Sequence, residues 1–557
     1  MRIGFCGLRH GVVVLSAIYG ICVASPAASQ PATNFDVVEA TIDGIQGAMR
    51  SGGLTCTQLV QTYLDRIAAY DEAGPKLNAV QNVNPRALQQ AADLDAKFKA
   101  SGEMAPLHCV PVLLKDQIET DFMPTTYGSA MFKTFVPKRN ATVVERLQRA
   151  GALILAKTNM GEFAAGGSGS AFGDCHNAYD PAYFASGSSC GTGIGVAASL
   201  GAVGIGEDTG GSVRGPASHG SLVGLRPTTP LVSRFGMMPA SPSRDTIGPI
   251  ARTVRDAARV LDAIAGYDPK DPVTAASYRR IPESYTAFLQ PNGLRGMRFG
   301  VIRQPMDKET DTNATDYKEI RAMIDRVVGV LKTRGAEIVD PIEIPNLLGL
   351  LQGSGAAPNT NIYETEQAIN GYLAQHPDTP VRTFRAMVES PLLIEPRRRA
   401  LIYAVGHEPT EPGFPLQRLT QEALRTEVLK TMADNRLDAF LYATYDHAPT
   451  KLPHTTLGNN RQLAPVLGFP ALAVPGGFSS DGLPLGFEFL GMPFSEGTLF
   501  KAAYDFPDLV VVPHVARREL KIPVHAAGVR IPRDHTVGVE VVARPIELTS
   551  TAPKLPT

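Results

Sequence analysis

Tryptophan is absent from the 557 residues, aromatic side chains make up 7% of them, and only six are cysteine. Without indoles the core falls to Val, Leu and Ile with many Ala and Gly, small side chains that let elements approach closely. An excess of charge is also missing. The formal net charge is −1 and acids and bases are interspersed, so the electrostatic footprint of a nucleic-acid binder is not there. A small, roughly neutral substrate suits such a surface better than a polyanion. No His-Glu-x-x-His string and no closely spaced Cys pair occurs, which argues against a zinc centre and leaves no cofactor implied.

The first thirty residues differ from the rest. Arg2 and Arg9 precede an apolar run over residues 11–18, and small residues follow from Ala24 to Ser29. That is the layout of a secretory signal peptide, with cleavage expected between Ala24 and Gln30. The run is shorter than the ~20 residues that a membrane span requires, so an N-terminal anchor is the weaker reading. The expectation is export to a periplasm or the medium, with no membrane attachment of the mature form. Cys6 and Cys22 would leave with the signal. Cys56, Cys109, Cys175 and Cys190 would remain where disulfides persist, in a pairing that the sequence does not give.

Beyond residue 30 the hydrophobic period switches repeatedly between helix and strand. Val143, Val144, Leu147 and Ala150 share a helical face, Gly151 closes it, and residues 152–156 read as a buried strand. Thr253 with Asp256 three positions on marks a helix start, Ala257, Val260, Leu261 and Ile264 line its core face, and Gly266 ends it. A strand over 297–302, a helix carrying Ile320, Ile324, Val327, Val328 and Leu331, and a strand at 337–339 continue the alternation. Further strands are expected at 438–442, 470–474 and 485–490, while 404–417 reads as a Pro- and Gly-rich loop. This is the pattern of one large α/β/α domain over residues 31–530, with a mixed, mostly parallel sheet covered by helices, followed by a C-terminal extension over 531–557.

Residues 187–228 are unusually dense in Gly, Ser and Ala. Asp208-Thr209-Gly210-Gly211-Ser212 reads as a turn that points successive amides at one spot, the construction of an oxyanion hole. A nucleophilic Ser needs a base. His219 is nearby but has no partner pattern. Upstream, the apolar strand 110–114 delivers Lys115 toward the interior, where burial favours the neutral, proton-accepting amine. A single Lys after a strand is ordinarily a solvated end, and its company is what changes the reading.

That company resembles the amidase signature family. The matching stretches are VPVLLKD at 110–116, AKTNMGEFA at 156–164, the whole Gly/Ser/Ala segment, residues 244–272, and residues 467–503. The resemblance implies an amide hydrolase in which Ser212 is the nucleophile, Ser188 the proton relay and Lys115 the base. It also implies a cis bond between Gly187 and Ser188, oxyanion amides at Thr209, Gly210 and Gly211, and supporting roles for Ser189, Asp208 and Arg214. Tyr127, Met131, Phe163 and Ala164 are candidates for lining the substrate pocket. The substrate itself stays open among small-molecule and peptide amides, esters and carbamates, and a homodimer would be ordinary for such an enzyme. Two departures stand beside the site: Cys190 in place of the usual Gly, and Glu207 in place of a small or hydroxyl residue.

Other readings of the same stretch are weaker. Gly187-Ser188-Ser189-Cys190-Gly191 fits a nucleophile elbow centred on Ser189, but the residues before it read as loop rather than strand. Cys190 as nucleophile lacks a paired His. Gly191-Thr192-Gly193-Ile194-Gly195 lacks the preceding strand of a dinucleotide site and reads as a small-residue helix start. The catalytic component of a tRNA-dependent amidotransferase shares the signature, but would work inside the cell with partner chains.

Overall fold

The computed structural model describes residues 35–352 and 359–506. The signal-peptide reading over 1–30 and the extension over 531–557 lie outside the described residues. Among the described residues there are thirteen strands: β1 (Val80–Val83), β2 (Pro111–Lys115), β3 (Leu153–Thr158), β4 (Ser168–Gly169), β5 (Gly173–Asp174), β6 (Val203–Asp208), β7 (Val223–Arg226), β8 (Thr246–Ala251), β9 (Arg298–Ile302), β10 (Glu337–Ile342), β11 (Ala439–Ala443), β12 (Ala471–Phe478) and β13 (Pro484–Leu490). Apart from the small β4-β5 hairpin they form one eleven-stranded sheet in the order β1-β3-β2-β6-β8-β7-β12-β13-β11-β9-β10. β2, β3, β6, β7, β8, β11 and β13 are buried along their whole length, which is why they read as apolar runs rather than as alternating patterns.

The sheet is mixed, and the expected parallel preponderance holds only in its wings. β3-β2-β6 and β11-β9-β10 pair in parallel, whereas every pairing from β6 through β8, β7, β12 and β13 to β11, and that of β1 with β3, is antiparallel. The physical reason is the length of the connections. Between β12 and β13 only residues 479–483 intervene, too few for the crossover that parallel pairing requires.

Local signals placed the few helices that the sequence marked. Thr253 caps helix Val254–Ile264 by accepting from the Asp256 amide, and Gly151 takes the positive φ of 89° that closes helix Thr142–Arg149. The expected loop at 404–417 is overturned in part, because residues 413–417 open the long helix Gly413–Asn435. Pro415 lies in its first turn, where a backbone N–H has no intrahelical acceptor and proline is tolerated. Cys56 pairs with Cys109 and Cys175 with Cys190, with Cα separations of 5.7 and 6.1 Å. Cys190 is thus half of a disulfide rather than a free thiol. Among the described residues no helix is long and apolar enough to cross a membrane.

Helix Cys190–Ala197 lies directly against β2 and β6. Its glycines permit this: a Cβ at Gly195 would come within 2.6 Å of Leu113, and one at Gly193 within 2.7 Å of Pro216. The Gly-x-Gly-x-Gly run is therefore a packing surface, and it brings the start of this helix to the carboxyl ends of two parallel strands, the usual place for a site in an α/β sheet.

Candidate active site

Lys115 is the last residue of β2 and Asp208 the last of β6. Because β2 and β6 run parallel, with Leu114 opposite Ile205, their ends lie side by side. Ser188 precedes helix Cys190–Ala197 by two residues and follows a cis Gly187–Ser188 bond. Ser212 lies in the turn between β6 and helix Arg214–His219 and is 8% exposed, against 0% for Lys115 and 1% for Ser188.

Lys115 Nζ donates to Ser188 Oγ at 2.9 Å, to the Glu207 carbonyl at 3.1 Å and to Glu207 Oε2 at 2.9 Å. These three acceptors match the three hydrogens of an ammonium. The Glu207 carbonyl also accepts from Ser189 Oγ at 3.2 Å, so Ser189 braces the same point. Sequence reasoning missed the Lys115–Glu207 ion pair. Its only signal was the unusual acid before Asp208.

The turn bearing Ser212 is held by Asp208. Its carboxylate accepts from the Gly211 amide at 2.8 Å and the Val213 amide at 3.1 Å, and it pairs with Arg214 at 3.2 Å and Arg226 at 3.1 Å. Burial pushes this carboxyl upward, but the guanidiniums of Arg214 and Arg226 outweigh it and hold the group well below the usual carboxylate range. Arg214 continues to Glu488 at 2.5 Å, which also accepts from Tyr442 at 2.9 Å. The expected brace of Asp208 and Arg214 is present, joined by Arg226 and Glu488, which sequence reasoning did not single out.

Arg461 was also missed. Its guanidinium donates to Ser186 Oγ and to the Gly211 carbonyl, both at 3.0 Å, and reaches the Gly187 carbonyl at 3.4 Å. One side chain thus ties the residue before Ser188 to the residue before Ser212. Gly211 has a φ of 106°, and a Cβ there would lie 2.4 Å from Arg461, so both conformation and space require glycine. The Gly211 amide, expected among the oxyanion donors, faces Asp208 instead. Thr209 and Gly210 are the remaining candidates.

His219 is buried, with Nδ1 3.2 Å from the Phe184 carbonyl. Burial, with Arg461 nearby, lowers its pKa to about 3, which leaves it a neutral packing residue. A second buried lysine, Lys157, has its pKa lowered to about 8 by burial against the opposing pull of Asp116. It donates to the Asp116 carbonyl and to Thr125 Oγ1.

Tyr127, Met160, Phe163, Ala164, Met238 and Arg397, among others, line one small pocket. Met160 in its wall is followed by Gly161, whose amide donates to the Ser188 carbonyl at 3.1 Å. Tyr127, Phe163 and Ala164 thus share one pocket wall. Met131 is not among the lining residues. It is buried in the same apolar cluster as Tyr127, Phe132, Phe135 and Phe163. On the other side of Pro239 a larger open cleft of about 760 Å³ has Asp245 in its wall.

Comparison with known proteins gives a consistent picture. A family model described as Amidase matches residues 58–500. The chain is 34% identical over 536 residues to a probable amidase of Arabidopsis thaliana, covering 92% of this chain and 98% of that protein. It is 34% identical over 471 residues to a component of the glutamyl-tRNA(Gln) amidotransferase of Thermosynechococcus vestitus, covering 81% and 94%. Among solved structures, the native peptide amidase of Stenotrophomonas maltophilia superposes with a TM-score of 0.77 at 35% identity, over 84% of this chain and 96% of that one.

Proposed function

This chain belongs to the amidase family, and on that premise we propose that it is an exported enzyme that hydrolyses the C–N bond of a carboxylic amide in a small molecule or peptide. The observation that carries the reading is the buried 2.9 Å contact between Lys115 Nζ and Ser188 Oγ, at the foot of the turn that presents Ser212. In the proposed sequence, neutral Lys115 takes the Ser188 hydroxyl proton while Ser188 takes that of Ser212. The Ser212 oxygen attacks the amide carbonyl, and the negative charge collects on the carbonyl oxygen, facing the Thr209 and Gly210 amides. The protons then return along the same path to the leaving nitrogen, the C–N bond breaks, and water hydrolyses the Ser212 ester. Returning the proton matters because an amine leaves poorly unless protonated.

Two features support export: the layout of residues 1–30, and the pairing of all four remaining cysteines, which suits an oxidising compartment. The likeness to a peptide amidase supports amidated peptides as substrates. The purified chain, given C-terminally amidated peptides, aryl and aliphatic amides, and matched esters and carbamates, should release ammonia or amine in step with free acid and with no added partner chain. Turnover of the esters alone, or amide turnover only with partner chains present, would contradict the proposal.

A further inference from the structure

Glu207 stands where the family pattern has a small or hydroxyl residue, and it touches the base. Its Oε2 is 2.9 Å from Lys115 Nζ and its Oε1 is 2.6 Å from Thr209 Oγ1, which in turn is 2.7 Å from Asp245 Oδ1. A threonine hydroxyl carries one hydrogen and so donates to only one of these two carboxyls. The other short contact is a hydrogen bond only if that carboxyl itself holds a proton. Glu207, Asp245 and Lys115 are all buried, so water screens their charges weakly.

Resting on the Ser212 reading above, we propose that Glu207 is a positioning residue that takes the proton from Lys115, and that Asp245, acting through Thr209, decides when it does so. In that transfer one Nζ–H bond breaks and one Oε2–H bond forms. An ammonium and a carboxylate become an amine and a carboxylic acid, and the net charge of the buried pair is unchanged. The free amine is then able to draw on Ser188. When Asp245 is protonated, it donates to Thr209, Thr209 donates to Glu207, and Glu207 stays ionised and holds Lys115 as a cation. When Asp245 is ionised, it accepts the hydrogen bond of the Thr209 hydroxyl, the Oε1–Oγ1 contact is left without a hydrogen, and the negative charge of Asp245 favours the protonated form of Glu207.

The surroundings place this switch near neutrality. Asp245 accepts from the Ala240 and Ser241 amides at 2.8 to 3.0 Å, and the charged groups around it are Glu207, Arg234 and Arg244. Burial first, and Glu207 second, raise its pKa to about 7, against the pull of Arg234. Glu207 faces Lys115 from β2, Arg226 from β7 and the neighbouring Asp208.

The test is the pH dependence of covalent labelling by a fluorophosphonate, which reads the activation of Ser212 without a known substrate. The wild-type rate should rise with pH through about 7, following Asp245. Asp245→Asn cannot ionise, so its rise should move up by about one pH unit or more. Glu207→Gln removes the acceptor of the Lys115 proton, so its labelling should fall severalfold and lose the rise through about 7, and Glu207→Ser should do the same should the glutamine variant fold poorly. In the double variant Glu207→Gln/Asp245→Asn the profile should match that of Glu207→Gln alone. Labelling with profiles unmoved in all variants, or moved equally by Asp245→Asn with and without Glu207, would overturn the inference alone. A wild-type chain that takes no label at any pH would overturn the proposed function as well.

Discussion

Replacing Ser212 with alanine is expected to lower kcat/KM by at least about 10⁴-fold while leaving the fold in place. The substitution deletes a single oxygen at a position 8% exposed, and the turn that carries it is fixed by Asp208, Arg461 and the backbone rather than by this hydroxyl. Activity should fall without a matching fall in thermal stability. Ser189→Ala separates this site from a nucleophile elbow at the neighbouring serine. It removes the bonds that Ser189 Oγ makes with the Glu207 backbone, to its carbonyl and from its amide, and its effect should be far smaller. Lys115→Ala should cost several orders of magnitude, most severely near neutral pH where a serine hydroxyl has no other means of losing its proton. A Lys115→Ala enzyme with near-normal rates at about pH 7 would require a different base. His219 does not offer one, since its Nδ1 faces a backbone carbonyl and the ring is packed against Tyr445 with centroids 4.7 Å apart.

Asp208→Ala is expected to have the largest effect on stability, a loss of about 3–5 kcal/mol in denaturant unfolding. The carboxylate is shared by two buried guanidiniums, Arg214 and Arg226, and caps the amides of Gly211 and Val213. Removing it leaves the two buried guanidiniums without the carboxylate they share, Arg214 still paired with Glu488 and Arg226 left with the more weakly acting Glu207. The sign of the pH dependence follows from the same group. Its folded-state pKa is depressed, so the stability it contributes is present above the ordinary carboxylate range and is lost only as the pH falls through its folded value. The wild-type chain should therefore lose this contribution only in strong acid, and the deficit of Asp208→Ala should persist across neutral pH. Asp208→Asn keeps the shape without the charge and should fall between the two.

How much of this was legible in the sequence depended on how local the signal was. Thr253 and Asp256, Gly151, and the apolar strand ending in Lys115 are short-range patterns that report period and capping, and the structure places each as the sequence implies. The Gly- and Ser-rich turn was equally readable, because few other uses exist for so many small residues around one Ser. What failed to show were pairs joined by the topology. Glu207 meets Lys115 across 92 positions and Arg461 meets Gly211 across 250, and no periodicity encodes such partners. The Gly211 amide was misjudged for the same kind of reason: an N–H in a tight turn is open to whichever acceptor folds over it, and here Asp208 takes it. The antiparallel centre of the sheet was hidden because strands buried on both faces look alike whichever way they run.

The central claim is that one hydroxyl in this chain is activated for attack. Peptide mapping by mass spectrometry after fluorophosphonate treatment reads it directly. The phosphonyl group should be found on the Ser212 oxygen, on a single peptide, and should be absent from Ser212→Ala. Label on Ser189 in its place, or full labelling of Ser212→Ala at the wild-type rate, would contradict the account.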